Sequence, residues 1–99
     1  MADITGTKAA DKLAGSTLQD KVMGHSGDDE IRGDDGDDFL FGGSDNDTIF
    51  GVDGDDYISA GTGNDVLDGG NGNDTIIAGE GDDIVYANGG NDNYQGGKG

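Results

Sequence analysis

The sequence predicts an all-β fold, a solenoid of short parallel strands stacked as rungs, and three columns of residues carry that reading. Aspartate recurs every nine residues, unbroken, at Asp11, Asp20, Asp29, Asp38, Asp47, Asp56, Asp65, Asp74, Asp83 and Asp92. Two places after each stands a large apolar residue: Leu13, Val22, Ile31, Leu40, Ile49, Ile58, Leu67, Ile76, Val85 and Tyr94. Five places before each stands Gly or Ala: Gly6, Gly15, Gly24, Gly33, Gly42, Gly51, Ala60, Gly69, Ala78 and Ala87. A disordered Gly/Asp-rich linker needs no such register.

Within each unit the first six residues form a turn and the last three a strand. The turn is rich in Gly, Asn and Asp, which accept left-handed backbone angles. The strand is rich in Ile, Val, Leu, Thr, Phe and Tyr. The middle residue of a three-residue strand faces one way and its neighbours the other, so each unit sends one aliphatic side chain inward. With two units to a coil, equivalent residues stand 18 apart in sequence and about 4.8 Å apart along the axis. One inner column is then Leu13, Ile31, Ile49, Leu67 and Val85, faced by Val22, Leu40, Ile58, Ile76 and Tyr94.

Taken in order, residues 1–23 read as a degenerate capping coil. They keep the Asp and apolar columns, but "TKAAD" and "STLQD" stand where turn glycines belong. Three Asp and three Lys (Lys8, Lys12, Lys21) cancel there, and the lysines are expected to supply positive charge where no metal binds. Residues 24–99 form the second region, with 19 acids against Arg32 and Lys98. Its units depart from the turn pattern at Asp45, which replaces the fourth-position glycine, and at His25, Asp34, Val52 and Asn88, which replace the second.

Such a solenoid has a thin core. Only 30% of the 99 residues are hydrophobic and 22 are glycine, so burial alone does not offset ordering costs of roughly 1–2 kcal/mol per residue. The net charge of −17 opposes compaction further. It also disfavours nucleic acid and anionic membranes as partners. There is no cysteine, hence no disulfide or thiolate site. No apolar run approaches a membrane span or a signal-peptide core. His25 is the only histidine and reads as a turn residue. Paired acids such as Asp28–Asp29 and Asp37–Asp38 recur in copy after copy, which suits a repeated metal edge better than an active site. No nucleophile elbow, phosphate loop or zinc signature occurs. Outward residues Phe39, Phe41, Tyr57, Ile77 and Met23 on one face, and Phe50, Val66, Ile84 and Tyr86 on the other, read as β-formers stacking across strands.

Stacked carboxylates repel at strand spacing unless a cation lies between them. Glycine turns also leave carbonyl oxygens unobstructed. Carboxylate and carbonyl oxygens without His or Cys make a hard-oxygen site suited to Ca²⁺, and less so to Mg²⁺, which keeps its waters.

Units such as "GGNGNDTII", "GDDGDDFLF" and "GVDGDDYIS" resemble the nonapeptide G-G-x-G-x-D-x-U-x of the RTX (repeats-in-toxin) family, a repeat type whose Ca²⁺ binding is established. The resemblance covers Gly24 to Gln95 well and Gly6 to Met23 weakly. It implies a right-handed parallel β-roll of nonapeptide repeats, two per coil and about five coils, with Ca²⁺ between successive turns. It further implies side-chain ligands at Asp29, Asp38, Asp47, Asp56, Asp65, Asp74, Asp83 and Asp92. Backbone carbonyls would come from Gly24, Gly27, Gly33, Gly36, Gly42, Gly43, Gly51, Gly54, Gly61, Gly63, Gly69, Gly70, Gly72, Gly79, Gly81, Gly89 and Gly90. Three gaps on each edge make about six ions, with poorer end sites raising the count to about eight. About six ions would bring the charge near −5. The implied role is non-enzymatic: an extracellular module that leaves through type I secretion unfolded and folds on calcium outside the cell. The alternatives are an accessory module of an extracellular protease, lipase or alginate epimerase, and a calcium-stiffened adhesin or surface-layer spacer. The chain stops at "GGKG", the opening of another unit, so end-to-end self-association through an uncapped last coil is a further expectation.

Overall fold

The computed structural model describes residues 3–6, 12–15, 19–86 and 93–95, without the side chains of Asp3, Tyr94 and Gln95. Every described element is a three-residue strand: β1 (Asp3–Thr5), β2 (Lys12–Ala14), β3 (Lys21–Met23), β4 (Glu30–Arg32), β5 (Phe39–Phe41), β6 (Thr48–Phe50), β7 (Tyr57–Ser59), β8 (Val66–Asp68), β9 (Thr75–Ile77), β10 (Ile84–Tyr86) and β11 (Asn93–Gln95). Odd-numbered strands form one parallel sheet, in the order β1-β3-β5-β7-β9-β11. Even-numbered strands form the other, from β2 to β10. Partners stand 18 residues apart, as in Ile31↔Ile49, Ile49↔Leu67 and Leu40↔Ile58. The molecule is therefore an all-β solenoid with two repeats per coil.

The alternation within each strand builds the core. Val22, Ile31, Leu40, Ile49, Ile58, Leu67 and Ile76, each the middle residue of its strand, are completely buried. Ala60 and Ala78, at the start of their turns, join them, and Ile4, Leu13 and Val85 pack partly against the two ends. The pairing continues past the strand ends: the Gly42 N–H donates to the Ser59 carbonyl at 2.9 Å and the Thr48 N–H to that of Asp29 at 2.8 Å. Strand β1 precedes Gly6, where the three columns begin. Ile4 continues the apolar period back from Leu13, whereas Ala2 breaks the aspartate period, so only one of the three columns signals it. Lys12 and Lys21 open β2 and β3 at exposed outer positions, and Lys8 lies outside the described residues. Phe39 and Phe41 each stack on Tyr57, at centroid distances of 6.0 and 6.2 Å, as the cross-strand reading expects.

The turns are left-handed at their second and fourth residues. Gly27, Gly36, Gly43, Gly54, Gly61, Gly63, Gly70, Gly72, Gly79 and Gly81 all have positive φ there. The substituted positions keep the same backbone: His25, Asp34, Asp45 and Val52 have φ of 71°, 65°, 73° and 76°. Asp45 therefore leaves the turn before Asp47 undistorted, because aspartate tolerates this region. Val52 is strained, because a β-branched side chain does not.

Two substitutions test this account by thermal denaturation under folding conditions. Ile49→Ala is expected to cost about 2–5 kcal/mol, from the cavity it opens in a double row without slack. Val52→Gly is expected to stabilise by about 1 kcal/mol, since it relieves left-handed strain at a small entropic cost. A destabilising Val52→Gly would mean that the strain is absent.

Candidate metal centres

Each turn is brought against the equivalent turn of the next coil, and the sixth-position aspartate sits between them. Asp29, Asp38, Asp47, Asp56, Asp65 and Asp74 are all almost fully buried, and Asp83 is half-buried. One carboxylate oxygen is used internally. The Asp29 N–H donates to Oδ1 of Asp47 at 2.9 Å, Asp38 to Asp56 at 2.9 Å, Asp47 to Asp65 at 2.7 Å, Asp56 to Asp74 at 2.8 Å and Asp65 to Asp83 at 2.7 Å. The other oxygen, Oδ2, is buried in Asp38, Asp47, Asp56, Asp65 and Asp83 with no hydrogen-bond donor. Leaving so many buried acceptors unmet is expensive.

Main-chain oxygens face the same gaps. A Cβ on Gly24 would lie 2.6 Å from Oδ2 of Asp29 and 2.8 Å from the carbonyl oxygen of Gly42, one coil on. First-position carbonyls, such as those of Gly42, Gly51 and Ala60, thus point back toward the preceding coil. Second- and fourth-position carbonyls point forward. A Cβ on Gly43, Gly61, Gly70 or Gly79 would overlap the carbonyl oxygen of His25, Gly43, Val52 or Gly61, and one on Gly54, Gly63, Gly72 or Gly81 that of Gly36, Asp45, Gly54 or Gly63. Each gap is lined by oxygens from both sides. Among the described residues no three His, Cys, Asp or Glu side chains converge, so an ion held here would draw most of its ligands from the main chain, as Ca²⁺ readily does.

The carboxyls are far from their ordinary state. Burial pushes Asp38 and Asp65 up to about 6, Asp47 to about 7 and Asp56 to about 8. The backbone N–H bonds pull the other way, and aspartates one coil away add repulsion, Asp74 and Asp38 in the case of Asp56. Without a compensating cation these carboxylates resist ionisation where they lie.

A second ladder, which sequence reasoning missed, runs outside the first. The fifth-position side chain accepts the N–H of its counterpart one coil later: Asn46 to Asp28 Oδ1 at 2.9 Å, Asp55 to Asp37 at 2.7 Å, Asn64 to Asn46 at 2.7 Å, Asn73 to Asp55 at 2.8 Å and Asp82 to Asn64 at 2.8 Å. The signal was present, because the fifth position holds only Asp or Asn from residue 28 to residue 82. The contrast is informative. Asn and Asp serve equally where one acceptor oxygen is needed, yet the sixth position is Asp in every unit. An Asn there would keep the Oδ1 bond but put an NH₂ donor in place of the second oxygen, so the invariant Asp keeps an anionic acceptor at that place.

The expected ligands Asp29 to Asp83 are thus brought to the two turn edges, with Gly24, Gly33, Gly42, Gly51 and Gly69 beside their carboxylates. Asp92, Gly89 and Gly90 lie outside the described residues, as do Asp11, Ala87 and Asn88. Comparison with known proteins finds the family model of the RTX calcium-binding nonapeptide repeat, which matches residues 14–49, 41–76, 50–85 and 68–99. No curated protein and no solved structure matches the chain.

A pH prediction follows from the raised carboxyls. Protonation costs nothing in the folded state below the ordinary carboxyl value of 3.8, and the penalty for ionisation grows as pH rises toward about 8. The metal-free roll is therefore relatively most stable in acid and loses that stability between these limits. Far-ultraviolet circular dichroism of the chelated chain should show more β-structure at pH near 5 than at pH near 8. A metal-free signal that strengthens with rising pH would contradict the burial of these groups.

Proposed function

Because the chain belongs to the RTX calcium-binding nonapeptide-repeat family, we propose that its Ca²⁺-binding β-roll is a folding switch, expanded without calcium and closed by it. The buried Oδ2 rail supports this reading, since Asp38, Asp47, Asp56, Asp65 and Asp83 each hold a carboxylate oxygen without a hydrogen-bond donor in gaps lined by main-chain carbonyls. Bound calcium supplies a hard divalent charge that those oxygens accept. The side chains of Asp29, Asp38, Asp47, Asp56, Asp65, Asp74, Asp83 and Asp92 would hold it with first-, second- and fourth-position carbonyls. About six ions fit three gaps on each edge, the one between residues 69–74 and 87–92 lying partly outside the described residues.

The chain contributes the rest. The N–H···Oδ1 bonds fix one side of the carboxylates from Asp38 to Asp83 and aim the other, and the left-handed residues turn carbonyls along the axis. Such a module suits a protein exported unfolded from a low-calcium cytosol that folds in the calcium-rich exterior. We propose that setting for this chain, in the service of secretion and folding of a larger protein. The role we read for it is structural, in keeping with the calcium-binding repeat family it belongs to.

Circular dichroism during a calcium titration, with magnesium as control, tests the switch. A cooperative gain of β-structure is expected with calcium and little with magnesium. A β signal that is complete in chelator and indifferent to calcium would end the proposal. Asp56→Asn should raise the calcium midpoint by about tenfold, or 1.4 kcal/mol, because it removes charge while keeping the bond from Asp38. Asp55→Asn, one residue away on the outer ladder, should leave the midpoint unchanged.

A further inference from the structure

We propose that Asn71–Gly72 is a self-modification site whose reaction is permitted in the unfolded chain and withheld by the closed roll. The calcium dependence of this gate rests on the folding switch above; the gate itself rests on the geometry of one turn.

Third- and fourth-position pairs stack by edge. One edge carries Asp35–Gly36, Asp53–Gly54 and Asn71–Gly72, and the other Ser26–Gly27, Ser44–Asp45, Thr62–Gly63 and Glu80–Gly81. Asn71–Gly72 is the one Asn–Gly pair among the described residues. Glycine has no side chain to obstruct the preceding residue, and asparagine is chemically labile. The main-chain nitrogen of Gly72 attacks Cγ of Asn71 and gives up its proton. The Cγ–Nδ2 bond breaks and the nitrogen leaves as ammonia, closing a succinimide ring. Water then opens the ring at either carbonyl, leaving aspartate or its β-linked isomer at position 71, with no change of oxidation state.

The fold obstructs the first step at three atoms. The leaving Nδ2 of Asn71 donates to Oδ1 of Asp53, one coil earlier, at 3.0 Å. The Asn71 N–H donates to the Val52 carbonyl at 2.8 Å. Gly72 is held at φ of 101° with its Cα packed against the carbonyl oxygen of Gly54, where even a methyl group would overlap. Bringing Cγ onto the Gly72 nitrogen requires rotating a peptide locked into the ladder on both sides. Asn71 is exposed, so access of water is not what holds the reaction back.

The two products are unequal. Aspartate exchanges the amide donor for a carboxylate one coil from that of Asp53, an arrangement this edge already holds at Asp35 and Asp53. The β-linked isomer adds a backbone methylene, which moves Asp74 and Ile76 out of the 18-residue register with Asp56 and Ile58. A chain left unfolded too long would lose the ability to close these coils.

The test incubates the full chain at mildly alkaline pH in calcium, in chelator and in urea, with circular dichroism run alongside. Conversion in the peptide covering residues 69–77 is read by mass and by isoaspartate detection. Conversion should be about tenfold or more faster in the unfolded samples, because reaction in the native state waits on opening. Equal rates in samples whose dichroism differs would overturn the gate. If calcium leaves the dichroism unchanged while urea speeds conversion, the gate stands and the calcium switch fails. Asn71→Ser, the residue type at Ser26 and Ser44, should abolish conversion and preserve refolding after long unfolded incubation. Unchanged loss of refolding in that variant would show that damage at Asn71 is not the cause.

Discussion

The structure depends on a carboxylate divided between two tasks. In Asp38, Asp47, Asp56, Asp65 and Asp83 one oxygen is tied to a backbone N–H of the neighbouring coil while the other is buried without a donor; Asp56, for example, takes the Asp38 N–H at 2.9 Å. The first task is structural and can be done by a neutral amide. The second makes sense only if something positive meets the oxygen. Alone, the rail is self-defeating: it buries like charges one coil apart and lifts their proton affinity toward neutrality. Matched by a cation, the same burial becomes an advantage, because attraction in a desolvated gap is far stronger than in water.

The glycines follow from this arrangement. Carbonyl oxygens that point along the axis need left-handed residues, and the next coil must approach those oxygens closely. Gly43 over His25 and Gly54 over Gly36 meet both conditions, since a Cβ at either would overlap a carbonyl oxygen. Such turns have high conformational entropy when unfolded. The core, one buried side chain per unit from Val22 to Ile76, is too thin to offset it. A fold with weak intrinsic stability and a dense set of facing oxygens is one whose stability a bound cation would decide, as the proposed switch requires.

Much of this was legible in the sequence. A nine-residue period with strand formers in the last three places gives every strand from β2 to β11 and the 18-residue register, because nothing else keeps both Asp and aliphatic columns facing inward. Strand β1 was not legible, since Ile4 has no aspartate ahead of it in the period. The outer ladder was legible only in part: the restriction of the fifth position to Asp and Asn stands in the sequence, but the Asp28–Asp29 pair read as one metal edge, and it is the stacking of the coils that brings the fifth-position oxygens to backbone N–H groups one coil away. The division of labour within the inner carboxylate was hidden for the same reason, because composition reports a charge and not which oxygen is already satisfied.

The turns, more than the strands, hold the register. A one-residue slip normally exposes a strand's apolar set and is strongly penalised. Here Phe39–Leu40–Phe41 and Ile84–Val85–Tyr86 are apolar at all three places, so slipping them exposes little that was not exposed already. The turns leave no such freedom. Moving one coil by a residue would press side chains such as those of Asp35 or Asp53 onto the axial carbonyls that glycine now faces. It would also unmatch two ladders that run in opposite senses: the inner from an earlier N–H to a later carboxylate, the outer from a later N–H to an earlier side chain. The polar edge thus specifies the alignment, and the apolar rows fill the space that it defines.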